Sequence, residues 1–130
     1  MKYVLAGVFA AILIACGSGK KADEQAFLNL ILNAIQAMPD GGRLTITTRV
    51  AKSLRGEKPS HIIIEFKDSG EGMTAEQQQR AFTSLLNTTK NAGTGLGLAI
   101  VKRVVETHRG DIQIKSRPGH GTTMSVTLPL

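Results

Sequence analysis

The sequence predicts a two-layer α/β (α+β) sandwich, in which helices lie on one face of a mostly antiparallel sheet. Two segments, residues 43–51 and 122–128, alternate apolar and polar side chains as half-buried strands do. The predicted elements follow in the order helix, two strands, helix, loop, helix, two strands. This order lets consecutive strands pair as hairpins and leaves the helices to cover one face. A chain of 130 residues has room for one such domain.

The first half of the domain begins with a helix for which Asp23 is the predicted N-cap. Residues 39–42, Pro-Asp-Gly-Gly, end this helix and turn the chain. The alternating strand at 43–51 follows, and a more fully buried strand at 61–66 leads to Asp68. Apolar residues spaced three and four apart place one face of the helix in the core, and these are Phe27, Leu30, Ile31, Ala34, Ile35 and Met38.

The second half contains two further helices and a second pair of strands. Thr74 and Gln77 match a capping box, which predicts a short helix that runs to about Phe82. The remaining segments are a polar loop (83–94), a strongly apolar helix (96–105), a strand (111–115), a turn (118–121) and the final alternating strand (122–128).

Charge and composition limit the classes of partner. The chain carries 16 Lys and Arg against 10 Asp and Glu, a formal net charge of +6, which suits a polyanionic ligand. Nucleic acid is not expected as a partner, because no run of Lys or Arg exceeds two residues and aromatic residues make up only 4%. The single cysteine excludes an internal disulfide and a Cys-based zinc site within this sequence.

Residues 1–22 are expected to be a targeting segment and linker, so the domain is assigned to residues 23–130. A 12-residue apolar run extends from Val4 to Ala15, and residues 13–18 resemble the lipobox of bacterial lipoprotein signal peptides, in which Cys16 is lipidated. The run is shorter than the roughly 20 residues that span a membrane. A membrane signal, a buried N-terminal helix and an accidental gene start are the alternatives.

A carboxylate and two glycines follow the second strand. Asp68 stands where the buried strand ends, and Gly70 and Gly72 come directly after it. The carboxylate is suited to accept a hydrogen bond from an exocyclic amine such as adenine N6, while the glycines let a base lie against bare backbone. For this segment taken alone, a simple Asp-Ser-Gly turn is the alternative.

Glycines alternate just before the last predicted helix. Gly93, Gly95 and Gly97 would supply backbone N–H groups at a helix N-terminus, where phosphate binds well. The motif is not a Walker A loop, because no Gly-Lys-Ser/Thr follows, and it is not a dinucleotide fingerprint, because no strand closely precedes it. Lys90 can reach a phosphate as a point charge, and otherwise it is a solvated loop lysine.

Two asparagines lie on the polar side of the first helix. The side-chain oxygen of Asn33 is a suitable Mg²⁺ ligand, in a site shared with substrate phosphates and water. Asn29 lies one helical turn earlier on the same face. Without the neighbouring motifs, both would equally be interpreted as surface asparagines.

Taken together, these motifs resemble the ATP-binding catalytic domain (HATPase_c) of bacterial sensor histidine kinases, in the GHKL superfamily of gyrase, Hsp90, histidine kinase and MutL. The resemblance implies the Bergerat fold, a mixed and mostly antiparallel sheet with helices on one face, and it implies ATP and Mg²⁺ as cofactors. The family motifs correspond to five segments of this sequence. These are the N box (29–37), the first glycine box (68–73), the F box with the ATP lid (81–90), the second glycine box (93–98) and the closing turn (118–123).

The resemblance also implies roles for single residues. Asn33 takes the metal-ligand position, and Asn29, Asn33 and Lys90 are the candidate catalytic residues. In the ATPases of the superfamily a glutamate at the position of Asn29 activates water, and an amide cannot act as that base. The candidate ATP-binding residues are Asn33, Asp68, Gly70, Gly72, Met73, Thr89, Lys90, Gly93, Thr94, Gly95, Leu96, Gly97, Leu98 and Thr122.

The sequence departs from the family pattern in three places. The lid carries Leu85 and Leu86 where the family has aromatic residues, with one residue inserted before Lys90 and its two threonines. The strand and first helical turn that precede the N box are missing or replaced by the signal-like segment. Autophosphorylation is not expected, because none of the three histidines stands in the His-Glu-x-x-x-Pro context of a phosphoacceptor, and these are His61, His108 and His120.

The expected function is to bind ATP–Mg²⁺ and to present the γ-phosphoryl group to a histidine on a separate dimerisation and phosphoacceptor hairpin domain, in a two-component system with a response regulator. A stand-alone serine protein kinase of the anti-sigma-factor type and a catalytically inactive nucleotide-binding module are the alternatives. We expect a cytoplasmic ATP-binding domain with membrane association through residues 1–16, and the alternative is an exported lipoprotein anchored at Cys16.

Overall fold

The computed structural model describes residues 20–52, 59–82 and 97–130. Within these ranges the chain forms three helices and four strands in the predicted order. The elements are α1 (Lys20–Gln36), β1 (Leu44–Lys52), β2 (Pro59–Asp68), α2 (Ala75–Arg80), α3 (Gly97–Thr107), β3 (Asp111–Ser116) and β4 (Thr122–Pro129).

The four strands form one sheet in the order β1-β2-β4-β3, and all three pairings are antiparallel. The mostly antiparallel sheet that the sequence predicts is therefore confirmed. Because β2 and β4 are antiparallel neighbours, the carboxyl end of β2 meets the amino end of β4, with Lys67 opposite Thr123. This register places Asp68 beside the start of the last strand.

The hydrophobic core lies between the sheet and the helices α1 and α3, which pack on each other. The strand β4 alternates buried and half-buried residues along its whole length, as a strand with one core-facing side does. The Phe27 and Phe66 rings stack with centroids 5.7 Å apart and join α1 to β2. The buried hydrophobic residues are Ala26, Phe27, Leu30, Ala34, Ile64, Phe66, Val101, Val105, Ile112, Met124, Val126 and Leu128, and all but Ala34 form one contiguous cluster.

Two predictions about α1 are wrong. Asp23 is not the N-cap, because the helix already includes Lys20, so that Asp23 lies in its first turn. Ile35 is 54% exposed rather than in the core, whereas Ala26 is buried. At 100° per residue Ile35 stands about 140° around the helix from Leu30, which points into the core.

The side chain of Asp23 is buried against α3 instead of capping α1. Its Oδ1 lies 2.8 Å from Nε2 of His108, just beyond the C-terminal end of α3. Both side chains border a small cavity whose other lining residues are apolar, from α1, α3 and β4. The pair therefore closes one end of the layer between the two long helices.

The remaining helix and strand boundaries agree with the sequence prediction to within a few residues. The capping box of α2 is confirmed, since Thr74 Oγ1 accepts from the Gln77 N–H at 3.2 Å and Gln77 Oε1 accepts from the Thr74 N–H at 2.8 Å. Phe82, in the predicted F box, packs against the core.

In the described part of the chain, no helix is both long and apolar enough to cross a membrane. The predicted signal segment, most of the lid and the glycines before Gly97 lie outside the described residues.

Candidate functional site

The carboxylate of Asp68 is held by two backbone groups from opposite sides. Only 7% of the residue is exposed, and its Oδ1 accepts hydrogen bonds from the Gly70 N–H at 2.9 Å and the Thr122 N–H at 3.2 Å. Among the described residues, the hydrogen bonds to this carboxylate all end on Oδ1. Oδ2 therefore remains available to a donor such as an exocyclic amine.

The loop after Asp68 packs closely on two neighbouring backbone segments. A Cβ added at Gly70 would collide with the carbonyl oxygen of Ala37, at the end of α1. Gly72 has φ +73°, and a Cβ there would collide with the carbonyl oxygen of Arg117 in the turn between β3 and β4. Within the described structure these glycines allow backbone to approach backbone, and their contact with a base stays a prediction.

One hydroxyl group ties this loop to the β3–β4 turn. Ser116 Oγ accepts from the Met73 N–H at 2.7 Å and lies 3.0 Å from the Gly121 carbonyl oxygen, to which it donates. It also lies 2.7 Å from Thr122 Oγ1. Sequence reasoning missed Ser116, and the available signal was its place opposite Thr122 across the predicted hairpin.

Of the two asparagines of α1, Asn29 contacts the start of α3. Asn29 Nδ2 donates to the Gly97 carbonyl oxygen at 3.3 Å, and Asn29 Oδ1 accepts from Gln25 Nε2 at 3.0 Å. Asn33, one turn further along, has a buried side-chain nitrogen with no hydrogen-bond partner among the described residues. Buried amides are almost always paired, so this nitrogen, which has no partner within the described ranges, is a candidate contact for a ligand.

The helix α1 connects the two groups of candidate residues. Its Asn29 contacts Gly97, while Ala37 just beyond its end contacts the loop at Gly70 and accepts from the Glu71 N–H at 3.0 Å. Leu98 lies in the first turn of α3. The other predicted site residues lie outside the described part of the chain, and these are Thr89, Lys90, Gly93, Thr94, Gly95 and Leu96.

Residues 20–130 match the model of the family described as histidine kinase-, DNA gyrase B- and HSP90-like ATPase. The chain belongs to this family. The family resemblance that the sequence motifs suggested is thereby confirmed over the whole described structure.

Similar proteins of this ATPase family include sensor kinases. Sporulation kinase E of Bacillus subtilis (strain 168) is 38% identical over 107 residues, which are 82% of this chain and 14% of that protein. Sensor histidine kinase ZraS of Escherichia coli (strain K12) is 42% identical over 106 residues, 82% of this chain and 21% of that protein. The chain thus spans a quarter or less of the length of the curated relatives it matches first.

Solved structures agree with the fold of this ATPase family. The mycobacterial sensor histidine kinase MprB superposes with a TM-score of 0.72 at 27% identity, covering 87% of this chain and 75% of that one. The catalytic domain of the histidine kinase ThkA superposes with a TM-score of 0.69 at 29% identity, covering 84% and 66%. The two-layer Bergerat-type architecture is therefore shared with histidine kinase catalytic domains.

ATP, the substrate that the family description names, fits the residues present. Within the described part of the chain, Oδ2 of Asp68 is open to a base amine, and Asn33, whose side-chain nitrogen has no partner there, lies on the same helix that contacts the start of α3. Rotation of that amide about its last bond exchanges nitrogen and oxygen, so it can present an N–H to a phosphate or an oxygen to a cation. No group of three His, Cys, Asp or Glu side chains in the described ranges is placed to hold a metal.

The three histidines have structural or exposed positions. His108 pairs with Asp23, and His61 Nδ1 lies 2.8 Å from Ser60 Oγ at the surface of β2. His120 is exposed in the turn between β3 and β4, where its N–H donates to the Arg117 carbonyl oxygen at 3.0 Å. Each lies in a hairpin, a turn or a helix end of the ATPase domain rather than on a helix of a separate acceptor domain.

Proposed function

We propose that this chain binds ATP with Mg²⁺ and presents the γ-phosphoryl group to a histidine on a separate phosphoacceptor domain, in cytoplasmic two-component signalling. The observation that carries the proposal is the buried carboxylate of Asp68, whose Oδ1 is fixed by two N–H groups while Oδ2 accepts no hydrogen bond from the residues that the structure describes. A carboxylate fixed in this way selects an amine-bearing base. The similarity to sensor histidine kinases supports the same reaction class.

In the proposed reaction, an imidazole nitrogen of the acceptor attacks the γ-phosphorus in line with the β–γ bridging oxygen. The bond from phosphorus to that oxygen breaks, ADP keeps the electron pair, and the imidazole proton passes to solvent. Such a transfer depends mainly on positioning and on neutralising charge. Asn33 would hold Mg²⁺ together with phosphate oxygens and water, and the ion would supply the positive charge beside the transferred group.

Asn29 favours transfer to an external acceptor over hydrolysis. Its amide oxygen and nitrogen are both engaged, with Gln25 and with the Gly97 carbonyl. An amide has no basic lone pair to activate water at neutral pH. We therefore propose slow hydrolysis in the absence of an acceptor domain.

The binding half of the proposal is tested by the substitution Asp68→Asn. Asparagine keeps an oxygen for the N–H groups of Gly70 and Thr122, but it loses the charge and replaces the second oxygen with a donor. Loss of a charge-assisted hydrogen bond of about 1.5–3 kcal/mol should weaken ATP binding roughly 10- to 100-fold in titration calorimetry. Asp40→Asn, at an exposed turn, is the matched control and should bind as the wild type does. Equal affinity in the Asp68 variant would reject this pocket.

The transfer half is tested with γ-labelled ATP, Mg²⁺ and the phosphoacceptor hairpin domain of a relative such as ZraS. Label should appear on the hairpin, not on this chain, and Asn33→Ala should prevent it. ATP binding without label on any added hairpin would select the inactive nucleotide-binding module. Label on a serine of an added substrate protein would select the serine kinase class.

A further inference from the structure

A short line of hydrogen bonds runs along the surface of α1 to the first residue of α3. Gln25 Nε2 donates to Asn29 Oδ1 at 3.0 Å, and Asn29 Nδ2 donates to the Gly97 carbonyl oxygen at 3.3 Å. Gln25 and Asn29 are one turn apart on the helix, whereas Gly97 is 68 residues further along the chain than Asn29. The line therefore connects two elements that only the fold brings together.

The orientation of the Asn29 amide decides whether it attracts or repels α3. With its nitrogen toward Gly97, the amide donates to a carbonyl, and a rotation by 180° would place oxygen against oxygen instead. Gln25 supports the attractive orientation in this structure, because its Nε2 donates to the Asn29 oxygen and leaves the Asn29 nitrogen toward Gly97. Asn29 lies directly against the start of α3, since a Cβ added at Gly97 would be in ordinary van der Waals contact with Asn29 Cβ, at 3.6 Å.

We infer that Gln25 is a positioning residue for phosphate binding, which acts through Asn29 on the start of α3. This inference rests on the proposed function, because it takes the N-terminal turn of α3 as part of the phosphate site. Backbone N–H groups at a helix N-terminus bind phosphate only when they point at it. The Gln25–Asn29 line fixes that turn against the helix that also carries Asn33.

The role inferred for Gln25 concerns the phosphate end of ATP and not the adenine end. Asp68 holds its own hydrogen bonds with Gly70 and Thr122, none of which involves Gln25 or Asn29. A loss at Gln25 should therefore weaken ATP binding and leave adenosine binding unchanged. A general loss of stability would weaken both ligands.

The test is a double-mutant cycle between Gln25→Met and Asn29→Leu, read by NMR titration with ATP–Mg²⁺ and with adenosine. Methionine keeps the length and helix propensity of glutamine but cannot donate. For loss of a solvent-exposed hydrogen bond we expect about two- to fivefold weaker ATP binding in Gln25→Met, and about tenfold weaker binding in Asn29→Leu. Gln25→Met should add nothing once Asn29 is leucine. Adenosine affinity should stay at the wild-type value in all variants.

Gln79→Met, an exposed glutamine on α2, is the matched control and should leave both ligands unaffected. Wild-type ATP affinity in Gln25→Met, equal losses for ATP and adenosine, or additive effects in the double variant would each overturn the inference. Absence of ATP binding by the wild type would instead reject the proposed function. The amide signals of Gly97 and Leu98 give an independent readout, since they should shift in Gln25→Met before any ligand is added.

Discussion

At the scale of single residues, the hydroxyl group of Ser116 joins the candidate base-binding loop to the start of β4. Its hydroxyl oxygen lies within 3.0 Å of Met73 N, the Gly121 carbonyl oxygen and Thr122 Oγ1. Replacing it with alanine would leave the Met73 N–H without its acceptor in a half-buried position. We expect Ser116→Ala to lower the free energy of unfolding by about 1–3 kcal/mol, measured by urea denaturation.

The control for this prediction is Ser125→Ala on the neighbouring strand β4. Among the described residues, the Ser125 hydroxyl makes one longer hydrogen bond, at 3.5 Å to Glu65 Oε1, so its loss should cost less than 1 kcal/mol. An equal effect of the two substitutions would contradict the role assigned to Ser116. ATP affinity should also fall in the Ser116 variant only, because Thr122, which Ser116 contacts, donates to Asp68.

At the scale of elements, the loop between β2 and α2 docks on the turn between β3 and β4. The Gly119 N–H donates to the Glu71 carbonyl oxygen at 2.7 Å, and Gly72 abuts the Arg117 carbonyl. Gly72→Ala would add the strain of a positive φ to a steric collision with backbone. We expect a loss of about 2–5 kcal/mol in the free energy of unfolding, because both penalties apply.

Gly41→Ala distinguishes the two causes of that loss. Gly41 has φ +92° but no atom within 4 Å of an added Cβ, so it reports the backbone strain alone. Its substitution should cost about 1–2 kcal/mol in the same urea denaturation experiment. If Gly72→Ala cost no more than Gly41→Ala, the close docking of the two loops would not contribute to stability.

At the scale of the whole molecule, the pair of Asp23 and His108 joins the beginning of α1 to the end of α3. The Asp23 side chain is only 4% exposed, so removing its partner would leave a buried carboxylate unpaired. We expect His108→Leu to destabilise the domain by roughly 2–4 kcal/mol, and the double substitution with Asp23→Leu to cost less than His108→Leu alone. Urea denaturation of the three variants measures this, and a double variant at least as unstable as His108→Leu would contradict it.

The sequence predicted the elements well because their signals are local. The alternation in β4 and the capping box of Thr74 and Gln77 each depend on neighbouring residues, and both are found in the structure. The motifs and the family resemblance also indicate Asp68 and Asn33, whose roles in ATP binding stay predictions. Contacts between distant residues were not predictable in this way, since Ser116 meets Met73 across 43 residues of chain and Asp23 meets His108 across 85.

The same limit explains the errors in α1. The spacing of apolar residues indicates a broad apolar face of α1, but it does not say which part of that face contacts α3. The packing of the two helices decides this, so that Ala26 is buried and Ile35 is exposed. Aspartate is a residue type that often caps helices, so the sequence suggested a cap. In the structure the Asp23 side chain is buried instead, because it pairs with His108. Sequence reasoning also missed Gln25, because its importance depends on the contact of Asn29 with Gly97.

The helix α1 fixes a distance as well as a set of contacts. The Ala37 N–H donates to the Asn33 carbonyl oxygen at 3.0 Å, so helical geometry continues from the asparagine to the residue that touches Gly70. Four helical residues correspond to a rise of about 6 Å. An insertion or deletion of one residue between them would turn Asn33 by about 100° relative to the loop that carries Asp68. The number of residues in this segment is therefore as constrained as their identity, and variation in length has to occur elsewhere in the chain.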